Sequence, residues 1–249
     1  MFVEYTPPSA PSAPNAQPVP SWRAVDIIIG LAAAVLGFAL IIGAVVVAAT
    51  LLDLQGEGES IALALATAAF ELWLGMWVLI AAWRRGIGAA GLGLERPIRW
   101  GPAVTAWLGS YVVLFGYFAV LLILESFGLN IDRLVGGNAL PYDVSRVSAV
   151  TIILGFSVVV LAPVCEELFF RGLLFKGLQT TWSMLPALLV SGFLFGAFHQ
   201  NLAVLIPFTI IGMLFAWAYH DSGSLWTPIV SHAAVNGLAF ALSVSGVAA

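Results

Sequence analysis

Long apolar runs dominate the chain, and short polar segments separate them. A helix needs about 20 apolar residues to cross the hydrocarbon core of a bilayer, because each residue adds about 1.5 Å of length. The runs that approach or exceed this length are 26–52, 61–83, 102–124, 147–164, 184–199, 202–219 and 225–245. We therefore predict an all-α, polytopic transmembrane helical bundle of about seven to eight helices. Residues 165–180 are expected to continue the fourth helix or to form a short extra one.

Composition supports a membrane location. The chain is 61% hydrophobic and 9% charged, a balance that no soluble domain of 249 residues would carry on its surface. Its formal net charge of −4 says little about partners, because the arginines are distributed by side of the membrane, and no nucleic-acid partner is expected. The expected partner is the lipid bilayer, and the expected location is the plasma membrane with multiple passes. A single cysteine, Cys165, excludes an intrachain disulfide and is expected to be a small buried side chain.

The chain divides into three predicted regions. Residues 1–22 are rich in Pro, Ala and Ser without apolar periodicity, so we predict a disordered N-terminal tail. Residues 23–145 are predicted to form N-terminal transmembrane helices. Residues 146–249 are predicted to form a second transmembrane region, which contains all the candidate site residues.

Arginine distribution predicts the orientation of the helices. Short cytoplasmic loops of membrane proteins are enriched in Lys and Arg. The loop 84–99 contains four arginines, whereas the loop 53–60 contains three acidic residues and no basic one. The first loop is therefore predicted to be cytoplasmic, with the candidate site opening toward the cytoplasm. Arg133 and Arg146 disagree with this assignment, because they fall in a predicted outer loop.

Two adjacent glutamates near the end of the fourth apolar run are the first candidate site residues. Ionisable groups at membrane depth are costly, and they commonly mark functional sites. Glu167 and Arg171 are four residues apart on a helix, in the order that favours an ion pair. Glu166 points about 100° away from that pair. We therefore predict that Glu167 and Arg171 are structural, and that Glu166 is the carboxylate available for proton transfer.

Two later helices supply further candidates. Phe195 and His199 lie four residues apart, as do His232 and Asn236, so each pair shares one helix face. Helical rise places His199 at a depth similar to that of Glu166, and both histidine-bearing faces are expected to converge on Glu166. In the same helix as His199, Gly192 and Gly196 form a stripe of small residues that predicts close packing against a neighbouring helix. Pro163 either bends its helix or frees a carbonyl that helps to shape a cavity.

This set of residues is sufficient for peptide hydrolysis. The reaction needs an activated water, donors to the developing oxyanion, and an acid for the leaving amine. Glu166 with His199 can activate water, and His232 with Asn236 can supply the donors. An alternative uses Glu166, His199 and His232 as ligands of a catalytic Zn²⁺ with an open position for water. The spacing does not choose between the two, although no HExxH motif is present.

The three motifs together resemble those of a known family. They are Glu-Glu-x-x-x-Arg at Glu166, Glu167 and Arg171, Phe-x-x-x-His at Phe195 and His199, and His-x-x-x-Asn at His232 and Asn236. In this order they resemble the CPBP family of intramembrane proteases, related to CAAX prenyl endopeptidases and to bacteriocin-processing and immunity proteins. The resemblance covers roughly residues 146–245, so it implies that residues 146–249 form a CPBP-like catalytic transmembrane domain. It implies an endopeptidase acting on a membrane-associated or lipidated protein, with the catalytic roles described above and with Glu167 and Arg171 in support. It leaves open whether a metal takes part.

Other interpretations predict different behaviour. A proton-coupled transporter would use Glu71, Glu166 and the histidines as a relay, but the chain shows no internal repeat. A catalytically inactive scaffold would act through helix packing alone. Glu71, in the middle of the second run, is expected to pair across the bundle or to line a cavity. Tryptophans near the predicted helix ends, Trp22, Trp83, Trp100 and Trp226, are expected to lie at the membrane interface.

Overall fold

A computed structural model describes residues 20–97, 99–135 and 148–245. Its helices are α1 (Ala24–Leu51), α2 (Glu57–Arg85), the single turn α3 (Ala89–Leu92), α4 (Gly101–Ser126), α5 (Ala149–Leu178), α6 (Met184–Phe198), α7 (Leu202–Ser222) and α8 (Trp226–Ser245). No strand occurs within these ranges. In this described part of the chain, six helices are long and apolar enough to cross a membrane, and α6 is a shorter apolar helix. The predicted all-α polytopic bundle is confirmed, and the chain is a multi-pass membrane protein.

The predicted fourth helix and the predicted N-terminal tail can be compared with the structure. The segment 165–180 continues the fourth helix, so α5 extends through 30 residues from Ala149 to Leu178. The predicted tail 1–22 lies outside the described residues except for its last three, and Arg146 also lies outside them. The division into regions 23–145 and 146–249 stays a prediction.

Helix α5 is interrupted by two π-helical segments on either side of the glutamate pair. These segments are Ser157–Leu161 and Leu168–Phe175. In π geometry an N–H group bonds to the carbonyl five residues earlier, whereas in an α-helix it bonds to the carbonyl four residues earlier. A π-helical turn therefore contains one residue more than the α-helical turn it replaces. The resulting irregular ladder leaves some carbonyls for side chains from other elements. Ser191 of α6, for example, donates its hydroxyl to the carbonyl of Phe170 at 3.3 Å.

Pro163 explains one of these free carbonyls. The N–H of Ala162 donates to the carbonyl of Ser157, in the π pattern. By the same pattern residue 163 would donate to the carbonyl of Val158, but proline has no N–H. The side chain of Asn236 in α8 takes this place, because its Nδ2 atom donates to the Val158 carbonyl at 2.9 Å. A carbonyl one turn before Pro163 thus accepts from a side chain of another helix, and the choice between this role of Pro163 and a simple helix bend stays a prediction.

Helices α6 and α7 pack closely through the predicted glycine stripe. A Cβ atom at Gly192 would lie 2.6 Å from the carbonyl oxygen of Thr209, and one at Gly196 would lie 2.6 Å from that of Leu205. Real Cβ atoms do not approach backbone oxygens so closely. The close approach brings the C-terminal end of α6, where His199 lies, against the bundle core.

One end of the bundle is joined by two ion pairs. Arg85 at the end of α2 lies 2.6 Å from Asp26 at the start of α1, and Arg99 before α4 lies 2.8 Å from Asp221 at the end of α7. Both arginines belong to the loop that was predicted to be cytoplasmic. The pairs show that these helix ends share one side of the bundle, whereas its orientation in the membrane stays a prediction.

Trp22 departs from the predicted interfacial position. Its side chain is only 3% exposed, and its Nε1 atom donates to the carbonyl of Gly172 at 2.6 Å. Gly172 lies in the second π-helical segment, so Trp22 satisfies a carbonyl that the irregular ladder offers. The expectation was wrong here because helix-end position alone does not reveal a free carbonyl on a neighbouring helix. Trp83, Trp100 and Trp226 are exposed, in agreement with the prediction.

Candidate active site

A cavity of about 590 Å³ lies between α1, α2, α5, α8 and the end of α6. Most of its wall is apolar, with aromatic rings from Phe38, Phe70 and Phe198. Its ionisable and amide-bearing side chains are Glu71, Glu166, His199, Gln200 and Asn236. Three residues predicted from separate motifs therefore meet at one largely apolar cavity that contains a few polar groups. Such a cavity matches the usual character of a ligand site, which is largely apolar with few polar groups.

Glu166 lies on the cavity wall with little compensation for its carboxyl group. The residue is 6% exposed, and its Oε2 atom is enclosed without a hydrogen-bond partner in the described part of the chain. Arg171 does not neutralise it directly, because the ion pair of Arg171 is formed with Glu167. A carboxylate without a fixed partner is free to accept a proton from a bound water. The predicted division of labour between the two adjacent glutamates thus agrees with their contacts.

Behind the cavity wall, Glu167, Arg171 and His232 form a buried cluster. Arg171 donates from Nη1 to Glu167 Oε1 at 2.9 Å and from Nη2 to the carbonyl of Gly212 at 2.8 Å. The Nδ1 atom of His232 lies 2.9 Å from the same Glu167 oxygen. Both members of the ion pair are fully enclosed. The predicted structural pair Glu167 and Arg171 is confirmed, and it connects α5 to α7 and α8.

Three aromatic rings enclose the charged head of Arg171. Its guanidinium carbon lies 4.5 Å from the ring centre of Phe195, 5.4 Å from that of Phe215 and 5.8 Å from that of Phe170. The negative faces of such rings attract a cation, most strongly where water is absent. Phe195 therefore has a structural reason for its place in the second motif. Phe215 also stacks on His232 with ring centres 5.2 Å apart.

The backbone fixes the tautomer of His199. Its Nδ1 atom lies 2.9 Å from the carbonyl oxygen of Phe195, four residues earlier. Since a carbonyl only accepts hydrogen bonds, Nδ1 must carry the proton, and in the neutral ring Nε2 is left as the acceptor. An acceptor nitrogen on the cavity wall can bind and polarise a water molecule. His199 and Glu166 both line the cavity, as the predicted water-activating pair requires.

His232 and Asn236 occupy different positions relative to the cavity. Asn236 lines it, and its amide is oriented by the bond to Val158. An amide has a second N–H that is available to another acceptor. His232 is 4% exposed, lies against Glu167, and is not among the side chains that line the cavity. His199 therefore lines the same cavity as Glu166, whereas His232 contacts Glu167 and not Glu166. The oxyanion roles of His232 and Asn236 stay predictions.

The predicted zinc alternative requires three ligands to converge. Across residues 20–97, 99–135 and 148–245, no three His, Cys, Asp or Glu side chains have the arrangement of a metal site. His232 in particular is bonded to Glu167. In this arrangement the three side chains do not converge as zinc ligands, and the zinc alternative stays a prediction.

Sequence reasoning identified most of the polar cavity, but it missed the aromatic enclosure of Arg171. The expectation that Glu71 either pairs across the bundle or lines a cavity is resolved in favour of the cavity. Phe215 and Gly212 give no signal in the sequence, because their importance depends on where α7 crosses α5.

Cys165 is buried and has a free thiol, as predicted. His220 lies at an exposed helix end beside Gln179, away from the cavity.

Comparisons with known proteins agree with the geometry of the site. Residues 148–238 match the family model described as type II CAAX prenyl endopeptidase Rce1-like. A relative from Bacillus subtilis (strain 168), named "Putative membrane peptidase YdiL", is 32% identical over 77 residues. This alignment covers 31% of the present chain and 32% of the relative, so it spans about a third of each protein. No solved structure matches the chain.

The family match and the candidate site coincide. Every predicted site residue lies between residues 148 and 238, and the contacts that join these residues come from the same matched segment. Residues 148–238 are therefore similar to the type II CAAX prenyl endopeptidase Rce1-like family, and the candidate site lies within this similar segment.

Proposed function

We propose that the chain is an intramembrane endopeptidase that hydrolyses peptide bonds in membrane-associated or lipid-modified, CAAX-like protein substrates. The observation that carries the proposal is the meeting of Glu166, His199 and Asn236 at one cavity within an apolar bundle. Glu166 there lacks a fixed counterion, which suits a general base. The family match and the name of the Bacillus subtilis relative support peptide hydrolysis as the reaction.

In the proposed mechanism, Glu166 removes a proton from a water that also hydrogen-bonds to Nε2 of His199. The hydroxide attacks the scissile carbonyl, and the developing oxyanion receives hydrogen bonds from the free amide N–H of Asn236 and from His232. For His232 to donate from Nε2, both of its ring nitrogens must carry protons, and the ring must move to face the cavity. Glu167 and Arg171 hold α5 so that Glu166 faces the cavity. The site would open toward the cytoplasmic side of the plasma membrane.

The test is cleavage of a quenched fluorescent lipopeptide by purified protein in detergent or liposomes. Glu166→Gln, His199→Ala and His232→Ala should each lower turnover by roughly 10²–10⁴-fold, the usual effect of losing an acid–base group or an oxyanion donor. Cys165→Ala should retain activity, because its buried thiol does not line the cavity. Peptide cleavage that survives Glu166→Gln would refute the mechanism.

A chelator titration with metal analysis of active protein tests the alternative set Glu166, His199 and His232 as Zn²⁺ ligands. Loss of turnover on chelation with rescue by added zinc would favour that set. Unchanged turnover in protein that contains no metal would favour the mechanism without it.

A proton-coupled carrier is the second candidate, since Glu71 and Glu166 line the same cavity. It predicts proton flux into sealed vesicles without any cleaved product. An inactive scaffold predicts that Glu166→Gln leaves the function of the protein in cells intact. Product analysis by mass spectrometry separates both from the proposed peptidase.

A further inference from the structure

Glu71 is a buried acid that the proposed mechanism has not used. It lies on α2, outside the segment that matches the family model, and it is 5% exposed. Its side chain lines the cavity that also contains Glu166, His199 and Asn236. Its Oε2 atom is enclosed without a hydrogen-bond partner in the described ranges. The cavity therefore contains two glutamates from different helices.

A structural role does not account for Glu71. Buried carboxyl groups in stable proteins are normally paired with a cation or with several N–H donors. The ion pairs found among the described residues involve Asp26, Asp221 and Glu167, and none involves Glu71. A buried carboxyl group without such partners lowers the stability of the fold, and no contact in the described ranges offsets this cost. A group that destabilises its own fold while facing a site is best explained by what it contacts when the site is filled.

Helix packing fixes Glu71 at the cavity wall. One turn further along α2, Gly75 touches α5 so closely that a Cβ atom there would lie 2.7 Å from Cys165 Sγ. Cys165 directly precedes Glu166. The contact between Gly75 and Cys165 therefore sets the separation of the two helices at the level of the site, and it keeps Glu71 on the same side as Glu166.

Peptide hydrolysis leaves one chemical requirement unassigned. When the C–N bond of the tetrahedral intermediate breaks, the leaving nitrogen must receive a proton, because an amide anion is too basic to depart. His199 and Asn236 are assigned to the water and to the oxyanion, and the other polar side chains of the cavity, Thr67, Ser157 and Gln200, have no acidic proton. Two carboxyl groups remain, that of Glu166, which holds the proton taken from the water, and that of Glu71 from another helix. A proton supplied by Glu71 reaches the nitrogen without the carboxyl group of Glu166 having to move from the water to the leaving amine.

Resting on the proposed peptidase function, we propose that Glu71 is a further catalytic residue, the general acid that protonates the leaving amine. Glu166 takes one proton from water, the hydroxide adds to the carbonyl carbon, and the C–N bond breaks as the Glu71 O–H proton passes to nitrogen. The proton held by Glu166 then returns to Glu71. The net change is the addition of one water across the peptide bond.

The test compares two substrates that share an acyl segment. One is a peptide, and the other is a nitrophenyl ester whose phenolate leaves without a proton. Glu71→Gln keeps the size of the side chain but has no acidic proton. It should lower kcat for the peptide by roughly 10²-fold or more, while kcat for the ester stays within about threefold of the wild-type value. Glu59→Gln, an exposed glutamate on the same helix, is the matched control and should leave both rates unchanged.

Other outcomes would overturn the assignment. Equal losses on peptide and ester would show that Glu71 acts through structure or binding, and unchanged rates on both would show that it has no role. If Glu71→Gln does not fold, the shorter pair Glu71→Asp and Glu71→Asn repeats the comparison. The aspartate variant must then exceed the asparagine variant on the peptide alone. A wild-type protein that cleaves no peptide would instead refute the proposed function, which keeps the two failures distinct.

Discussion

The buried ion pair between Glu167 and Arg171 should be the most sensitive electrostatic contact in the protein. In Glu167→Gln the side-chain oxygen can still accept hydrogen bonds from Arg171 and His232, so the geometry is largely kept. What is lost is the negative charge beside a fully enclosed guanidinium. Removing one partner of a buried pair typically costs about 3–5 kcal/mol, because the remaining charge has no counterion. We expect Glu167→Gln to lower the free energy of unfolding by about this amount.

A double-mutant cycle isolates the charge effect. Arg171→Met removes the cation and keeps an apolar side chain among Phe170, Phe195 and Phe215. The double variant contains neither charge, so it should be more stable than Glu167→Gln alone, with a coupling free energy of about 2–3 kcal/mol. Arg99→Met is the control, because its ion pair with Asp221 is 62% and 30% exposed. Loss of that pair should cost less than about 1 kcal/mol.

Reversible unfolding in mixed micelles, followed by the fluorescence of the nine tryptophans, measures these values. Two results would refute the reasoning. One is a cost below about 1 kcal/mol for Glu167→Gln, which would mean that water or the aromatic rings compensate the cation. The other is strict additivity in the cycle, which would mean that the two side chains do not depend on each other.

Three further predictions concern single substitutions. Glu166→Gln should leave the free energy of unfolding unchanged or raise it, because it replaces a carboxyl group that has an enclosed, unpartnered oxygen; thermal melting measured beside the activity assay tests this, and a large loss of stability would contradict it. Gly196→Ala should lower stability by about 1–3 kcal/mol, since the new methyl group would meet the backbone of Leu205 at 2.6 Å, and the same unfolding assay would show it. Asn236→Ala should cost about 1–3 kcal/mol beyond its effect on turnover, because the carbonyl of Val158 loses its donor; equal stability to wild type would show that water replaces the amide.

The hydrophobic pattern was sufficient to predict the class of fold. Runs of apolar residues in this range of lengths can satisfy their backbone in a bilayer only as helices. The pattern could not reveal the π-helical segments of α5, because the same apolar residues are compatible with α-helical and with π-helical backbone hydrogen bonds. Nor could it show that Trp22 is buried, since that depends on the free carbonyl of Gly172.

Site prediction succeeded where spacing along one helix decides the contact. Glu167 and Arg171 lie one turn apart, and their pairing followed directly. His232 was harder to assign, because its choice between Glu166 and Glu167 depends on how α8 is rotated against α5. Periodicity gives no information on that rotation. The same limit applies to Glu71, whose position near Glu166 depends on the close contact of Gly75 with Cys165.

The π-helical turn at Ser157–Leu161 absorbs one extra residue within α5. Deleting one residue there would restore an ordinary α-helical ladder, and the side chains that follow, including Glu166 and Glu167, would keep their directions. The carbonyl of Val158 would then be taken up by the helix itself, and Asn236 of α8 would lose the acceptor that orients its amide. The extra residue therefore serves α8, because it offers the neighbouring helix an attachment point that a regular helix does not have.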